Sequence, residues 1–364
     1  MVKLKIGLDW DDVVAPFNSI AIRLANKDYK IEPPLVLEDI NSWENTGRAS
    51  CIRKYYSEQK LYDIQAESIP QENIDAVRRL NEIADVYFIT AVYPEYMTHR
   101  AAVIQRVFPE LGAERMIFGS AKSLVHFDIT LDDNICNVLD SKAKYPVLMR
   151  KPWNRNMTGL LSVNNLDEFV SLVEHILDVN TKPDPRMPKV IALVGPSGSS
   201  KGEIAKYLSV YGECEVVKGY STKKNSGYKY LSPEEFHEHS FFEHTFYGGY
   251  EYGTQFEDVQ SVLSRGKNAV MILDVCGAIG IKRHFPTLIV YVKRGKAALI
   301  SSIVKDTTLD DEEKTLRLLS VDAEKKNENI CDMVVQSTKG DTESYAADCS
   351  IMIREYLKRE FGGK

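Results

Sequence analysis

Apolar residues along the chain cluster in short runs that stop abruptly at polar ones, the pattern of buried strands in a parallel sheet. Lys3-Leu4-Lys5-Ile6-Gly7-Leu8 runs into Asp9-Trp10-Asp11-Asp12, Val86-Tyr87-Phe88-Ile89 ends at Thr90-Ala91, and Phe127-Asp128-Ile129-Thr130-Leu131 ends at Asp132-Asp133-Asn134. Farther on, Val190-Ile191-Ala192-Leu193-Val194 leads into Gly195-Pro196-Ser197-Gly198-Ser199-Ser200-Lys201-Gly202, and Val270-Met271-Ile272-Leu273 ends at Asp274. Helical spacing is read at Pro16 to Asp28, at Gln71 to Ala84, and through Ile204, Ala205 and Leu208. Such strands alternating with helices predict an α/β fold. Residues 178 to 189 carry Pro183, Pro185 and Pro188 and little to bury, which reads as a semi-rigid linker. The expected organisation is a domain at 1–178, a linker at 179–188 and a second domain at 189–364.

The strand ends carry the chemistry. Asp9 and Asp11 stand two apart at the carboxyl edge of the first strand, where a Mg²⁺ and phosphoryl-transfer site is built from carboxylates. Strand alternation aims both side chains the same way unless the chain turns there, so that one attacks while the other handles protons. The loop at 195–202 joins a strand to a helix, and its backbone N–H groups and helix dipole favour a bound phosphate. The strict G-x-x-x-x-G-K-[ST] pattern is broken twice: Ser200 replaces the second glycine, and Gly202 replaces the Mg²⁺-binding hydroxyl, while Lys201 is kept. Ser199 and Ser200 are the alternative hydroxyls.

Taken in order, Asp9-x-Asp11, Thr90, Lys122 and Asp132-Asp133 resemble the four motifs of the haloacid dehalogenase-like phosphatases. Pro152-Trp153-Asn154-Arg155 after the last motif is similar to a segment of their deoxyribonucleotidase branch, and Arg155 enters the substrate-contact candidates with it. The resemblance covers about the first half of the chain. It implies Asp9 as nucleophile, Asp11 as acid and then base, and Thr90 and Lys122 as holders of the phosphoryl oxygens. It further implies a Mg²⁺ site drawn from Asp9, Asp11, Asp132 and Asp133. A small helical cap, at about 16–84, is expected to stack a nucleotide base on aromatic rings, with Phe17 at the spacing of one such ring. Trp43, Tyr55, Tyr56 and Tyr62 are read first as packing the cap, with Trp43 the further candidate for substrate contact.

From about 189 to 338 the chain resembles guanylate kinase. The likeness rests on Gly195-Pro196-Ser197-Gly198, on Ser221-Thr222 before Tyr228-Lys229-Tyr230-Leu231-Ser232, on Phe242-Glu243, and on Tyr250-Glu251-Tyr252-Gly253-Thr254. Asp274 closes the next strand, and Arg317 falls where that family's lid supplies an arginine. The resemblance implies ATP and phosphate contacts from Gly195, Ser197, Gly198, Ser199, Ser200, Lys201, Gly202 and Arg317. It implies substrate contacts from Ser221, Tyr228, Glu243, Tyr252, Thr254 and Asp274, with Lys201 acting in phosphoryl transfer. The departures concentrate on function. Lys223, Lys224, Asn225 and Ser226 stand where arginines clamp the acceptor phosphate, and Cys276 stands where a second acid belongs. Lysine keeps the charge and loses the planar fork.

Composition changes the picture little. A chain of 364 residues, 44% hydrophobic, is ample for two cores. It has no apolar run of eighteen residues and no hydrophobic leader with a cleavage site, so neither membrane insertion nor secretion is expected. Six scattered cysteines without a C-x-x-C pair are read as reduced thiols in a cytoplasm, and seven histidines form no zinc-ligand spacing. A net charge of −6 argues against a nucleic-acid surface, so the expected partners are free nucleotides, with a homo-oligomer left open. The expected whole is an α/β protein of two domains that edits nucleotide pools, one domain hydrolysing a (deoxy)nucleoside 5′-monophosphate with Mg²⁺ and the other phosphorylating a different monophosphate with ATP. The alternative is an active nucleotidase carrying a non-catalytic nucleotide-binding module.

Overall fold

The structure, a computed structural model, describes residues 3–177, 187–224, 227–247 and 249–361. The chain divides into two compact units, one of Met1–Arg155 with Ser162–Val173 and one of Asn156–Leu161 with Glu174–Lys364. The expected linker at 179–188 lies, up to residue 186, outside the described residues, as do Asn225 and Ser226.

The first unit is built on a six-stranded sheet in the order β3-β2-β1-β4-β5-β6. Its strands are β1 (Lys5–Leu8), β2 (Asp85–Thr90), β3 (Met116–Phe118), β4 (Ile129–Asp132), β5 (Tyr145–Met149) and β6 (Leu161–Val163). The pairs β1–β2, β1–β4, β2–β3 and β4–β5 are parallel. Because β2 and β4 flank β1 on opposite sides, the strand order reverses at β1, and the crevice outside the carboxyl ends of β1 and β4 is the place where such sheets bind ligands. The helices are α1 (Phe17–Tyr29), α2 (Gln59–Asp63), α3 (Gln65–Ser68), α4 (Gln71–Ile83), α5 (Met97–Val107), α6 (Ile135–Asp140) and α7 (Leu166–Leu177).

The cap forms its own small core. Ile20, Ala21, Leu24 and Ala25 recur at helical spacing on α1 and pack with Ile40, Ile52, Tyr55, Leu61 and Trp153. The cap is shorter than the expected 16–84. Helix α4 buries Ala76, Val77 and Leu80 and packs on β2, so its apolar stripe makes it part of the layer covering the sheet.

The second unit holds a five-stranded sheet in the order β15-β14-β7-β13-β8 and a four-stranded sheet in the order β10-β9-β12-β11. The former comprises β7 (Val190–Val194), β8 (Cys214–Val216), β13 (Asn268–Ile272), β14 (Thr287–Val292) and β15 (Met333–Val335), all paired in parallel. The latter comprises β9 (Tyr220–Ser221), β10 (Lys229–Tyr230), β11 (Glu243–Tyr247) and β12 (Tyr250–Thr254). Around them lie α8 (Lys201–Val210), α9 (Pro233–Glu238), α10 (Phe256–Ser264), α11 (Val275–Lys282), α12 (Lys296–Lys305), α13 (Asp311–Glu324) and α14 (Thr342–Phe361). The apolar face of α8, Ile204, Ala205 and Leu208, meets β7 residues Ile191 and Leu193 and α14 residues Tyr345, Cys349 and Ile353 in one core. Strand β7 is flanked by β13 and β14, so the loop at 195–200 also leaves the sheet where the strand order reverses. No helix among the described residues is long and apolar enough to cross a membrane, and no disulfide joins the six cysteines.

Candidate functional site

In the first unit the carboxyl ends of β1 and β4 bring Asp9, Asp132 and Asp133 together, each buried and each with a carboxylate oxygen within 4.8 Å of the others. Lys122, on the short turn 122–124, lies between two of them, its Nζ 2.8 Å from Asp9 Oδ1 and 2.7 Å from Asp132 Oδ2. Burial, opposed by Lys122 and reinforced by Asp132 and Asp11, pushes the Asp9 carboxyl up to about 7. Burial and the neighbouring acids likewise hold Asp133 well above the usual carboxylate range. Burial works against the charge of Lys122, but Asp9 and Asp132 outweigh it and raise its pKa. Three carboxylates thus crowd together with one lysine bridging two of them, and hard oxygen donors crowded in this way suit a small divalent cation such as Mg²⁺.

Each acid is also held from behind. Trp10 N–H donates to Asp9 Oδ1 at 2.7 Å. Asn134 N–H (2.9 Å) and Asn137 Nδ2 (3.0 Å) donate to Asp132 Oδ1. Trp153 Nε1 donates to Asp133 Oδ2 at 3.0 Å, and Asn154 Nδ2 donates to the Asp133 carbonyl at 2.8 Å. Those last two residues belong to the Pro152–Asn154 turn, while Arg155, the member of that segment expected at the substrate, is exposed.

Asp9 and Asp11 do not share partners. The backbone turns directly after Asp11, with Asp12 N–H donating to the Ala15 carbonyl and Asp12 at φ 56°. The Asp11 carboxylate lies outside the three-acid group, although it was expected among the metal-holding residues, and meets Arg100, whose NH2 stands 2.8 Å from Oδ1 and 2.9 Å from Oδ2. Gln65 Nε2 of the cap also donates to Asp11 Oδ1 at 3.2 Å. Thr90, buried at the end of β2, accepts a 2.6 Å hydrogen bond from Arg100 NH1. The sequence reading missed Arg100. The available signal was an arginine at position 100 on the stripe Val103, Ile104, Val107, an apolar helix face on which a charge is unexpected.

Phe17 opens α1 with its ring centroid 5.3 Å from Tyr56 and 5.9 Å from Tyr62, and Tyr62 stacks on Tyr96 at 4.6 Å. Tyr55 and Tyr62 are buried, in keeping with a packing role. Trp43 is 56% exposed and makes no ring contact among the described residues, so it neither packs the cap core nor joins Phe17.

In the second unit Gly195 takes φ 134°, and a Cβ there would meet the Val292 carbonyl at 2.7 Å, so the turn out of β7 requires glycine. Lys201 Nζ, at the start of α8, reaches back to the carbonyls of Gly195 (2.5 Å) and Pro196 (2.9 Å). Gly202 follows it in the first turn of α8. Ser200 occupies the left-handed region at φ 71°, a conformation suited to the glycine it replaces, and its Oγ accepts from Arg294 NH1 at 2.6 Å. Arg294 NH1 also reaches the Gly198 carbonyl at 3.2 Å, and Ser199 Oγ lies 3.4 Å from Lys201 Nζ. Arg317 NH1 donates to Ser197 Oγ at 2.7 Å. Burial, opposed by Glu324, pulls the Lys201 pKa down to about 8, and burial, opposed by Lys201, pushes Glu324 up to about 7.

The remaining expected residues gather through strand register. Ser221 pairs with Tyr252, and Glu243 with Thr254. Thr254 Oγ1 donates to Glu243 Oε2 at 3.0 Å, and the Tyr228 and Tyr252 rings meet at 5.1 Å. Asp274 caps α11 through the Gly277 N–H and accepts from Thr245 Oγ1. Lys223, where the arginine clamp was expected, pairs with Glu313 of α13 at 2.7 Å.

Comparison with known proteins finds different relatives for different parts of the chain. Residues 3–179 match the family model described as 5′ nucleotidase, deoxy (Pyrimidine), cytosolic type C protein. A 5′(3′)-deoxyribonucleotidase of Clostridium acetobutylicum is 26% identical over 187 residues, covering 49% of this chain and 99% of that protein. A guanylate kinase of Clostridium perfringens is 34% identical over 106 residues, 26% of this chain and 49% of the kinase, so the chain spans about half the length of that relative. Among solved structures, a haloacid dehalogenase-like hydrolase from Burkholderia xenovorans superimposes with a TM-score of 0.30 at 11% identity, covering 47% of this chain and 97% of its own. The chain therefore joins a segment resembling the 5′(3′)-deoxyribonucleotidases to one resembling guanylate kinase.

Proposed function

We propose that the first unit hydrolyses (deoxy)nucleoside 5′-monophosphates through an aspartyl-phosphate on Asp9. The observation that carries this reading is the buried group of Asp9, Asp132 and Asp133 around Lys122, with Asp11 set apart from it. Asp9 attacks phosphorus, the bond from phosphorus to the ester oxygen breaks, and Asp11 delivers a proton to the departing oxygen. Water then attacks the acyl-phosphate, Asp11 takes its proton, and phosphate leaves with Asp9 restored. Lys122 and Thr90 hold the phosphoryl oxygens. A Mg²⁺ held by Asp9, Asp132 and Asp133 would offset the charge of nucleophile and phosphate. Phe17, flanked by Tyr56 and Tyr62, offers the base a ring to stack on. A cytoplasmic enzyme acting on free nucleotides, without nucleic-acid or membrane partners, fits the charge and composition.

For the second unit the reading is a nucleoside monophosphate kinase that takes ATP at the 195–202 loop, with Lys201 serving the transferred phosphoryl group. One observation favours a second reading, a nucleotide-binding module without transfer: Ser200 stands in a glycine conformation with its hydroxyl taken by Arg294. The deciding experiment screens the ribo- and deoxyribonucleoside monophosphates with Mg²⁺, scoring phosphate release and, separately, diphosphate formation from ATP. Asp9→Asn is expected to abolish release and leave any diphosphate formation intact. Retention of more than about a hundredth of wild-type release, a loss of only ~2.7 kcal/mol, overturns the nucleophile. Monophosphate binding by calorimetry without diphosphate from any of them replaces the kinase with the binding module.

A further inference from the structure

We propose that Arg100 is a positioning residue that sets Asp11 against the leaving oxygen and ties it to the phosphoryl side of the site through Thr90; this rests on the nucleotidase reading above. Arg100 is fully buried on the face of α5 that otherwise carries Val103, Ile104 and Val107. A guanidinium there carries a desolvation cost that an apolar side chain avoids, so its presence calls for more than packing. Its two terminal nitrogens are divided between two functional groups. NH2 straddles both oxygens of Asp11, and NH1 donates to Thr90 Oγ1. The planar guanidinium therefore fixes the distance and angle between a carboxylate that follows β1 and a hydroxyl at the end of β2, which the single point charge of a lysine cannot do. The rings of Tyr62, 5.5 Å away, and Trp10, 6.0 Å away, bound the guanidinium. Gln65 completes the arrangement, since its Oε1 accepts from Trp10 Nε1 while its Nε2 donates to Asp11. Asp11 is thus held by one group from the sheet layer and one from the cap.

The consequence is selective by leaving group. An alkoxide such as the nucleoside 5′-oxygen needs its proton delivered in place as the ester bond breaks, whereas p-nitrophenolate leaves without one. Arg100→Lys, which keeps the buried charge, is expected to lower kcat on a nucleoside 5′-monophosphate by roughly 100-fold, with KM changed less than about threefold. On p-nitrophenyl phosphate the burst of p-nitrophenolate that accompanies phospho-enzyme formation should slow by no more than about threefold, whereas hydrolysis of the phospho-enzyme, which uses Asp11 as base with either substrate, should slow alike for both. Combined with Asp11→Asn, Arg100→Lys should add no further loss on the nucleotide, because both changes remove one function. Equal losses in the rate of phospho-enzyme formation from the two substrates, or losses that multiply in the double variant, would show a structural ion pair and overturn the proposal. Thermal melting of each variant identifies a chain that has merely failed to fold, in which case Arg100→Gln, which retains planar N–H donors, carries the same comparison. Absence of Mg²⁺-dependent release by the wild-type protein overturns the nucleotidase reading, and the role of Arg100 with it.

Discussion

The indole N–H of Trp153 donates to Asp133 Oδ2, one of the three grouped acids, at 3.0 Å and across twenty residues of sequence. Asp133 is raised by burial and by the carboxylates beside it, so this donor orients an acid that is otherwise crowded by like charge. Trp153 also packs against the cap core, which makes one side chain both a wall of the cap and a support of the acidic group.

Trp153→Phe keeps most of the buried ring and removes the donor. The Mg²⁺ concentration for half-maximal phosphate release should rise roughly 10–100-fold, the usual effect of losing a hydrogen bond to a metal-holding carboxylate. Titration of activity against Mg²⁺ checks this. An unchanged requirement with a lowered melting temperature would assign Trp153 to packing alone.

Phe17→Ala removes a ring that lies against Tyr56 and Tyr62. Nucleoside monophosphates should bind about 1–3 kcal/mol more weakly, while ribose 5-phosphate, which has no base, should be hydrolysed almost as before. Comparison of kcat/KM on the two substrates is the measurement. Equal losses would mean that the ring holds the cap together and does not stack on a base.

Glu324 in the second unit gives a pH dependence with a definite sign. Burial raises its pKa from 4.5 to about 7, so between those values the folded chain keeps a proton that the unfolded chain has released. Its favourable contribution is complete below about pH 4.5 and is lost as pH rises to about 7. Glu324→Gln retains an acceptor for Ser320 Oγ and abolishes this titration. The melting temperature of Glu324→Gln relative to wild type should climb across that window and level off above it. A difference that stays constant from pH 5 to pH 8 would remove Glu324 from the account.

Much of the molecule was legible because its signals are local. Apolar runs ending in Asp9, Thr90, Asp132 and Gly195 mark strand ends, and the strand ends are where both sheets place their chemistry. The helical stripe on α1 is likewise written within a few residues of itself. The limits of α4 were legible but its place was not, because an apolar stripe does not say whether it faces a cap or a sheet.

Tertiary structure alone decided which groups meet. Asp9 and Asp11, equivalent by spacing, meet different partners; one joins Lys122, and the other joins Arg100, 89 residues away, and Gln65, 54 away. It placed Trp153 and Asn154 on Asp133 and left Arg155 in solvent, and it put Arg294 on Ser200 across 94 residues. Strand-end identity follows from backbone periodicity, which any short window of sequence records. Charge pairing follows from a core that closes only when distant segments pack, and no local pattern carries it.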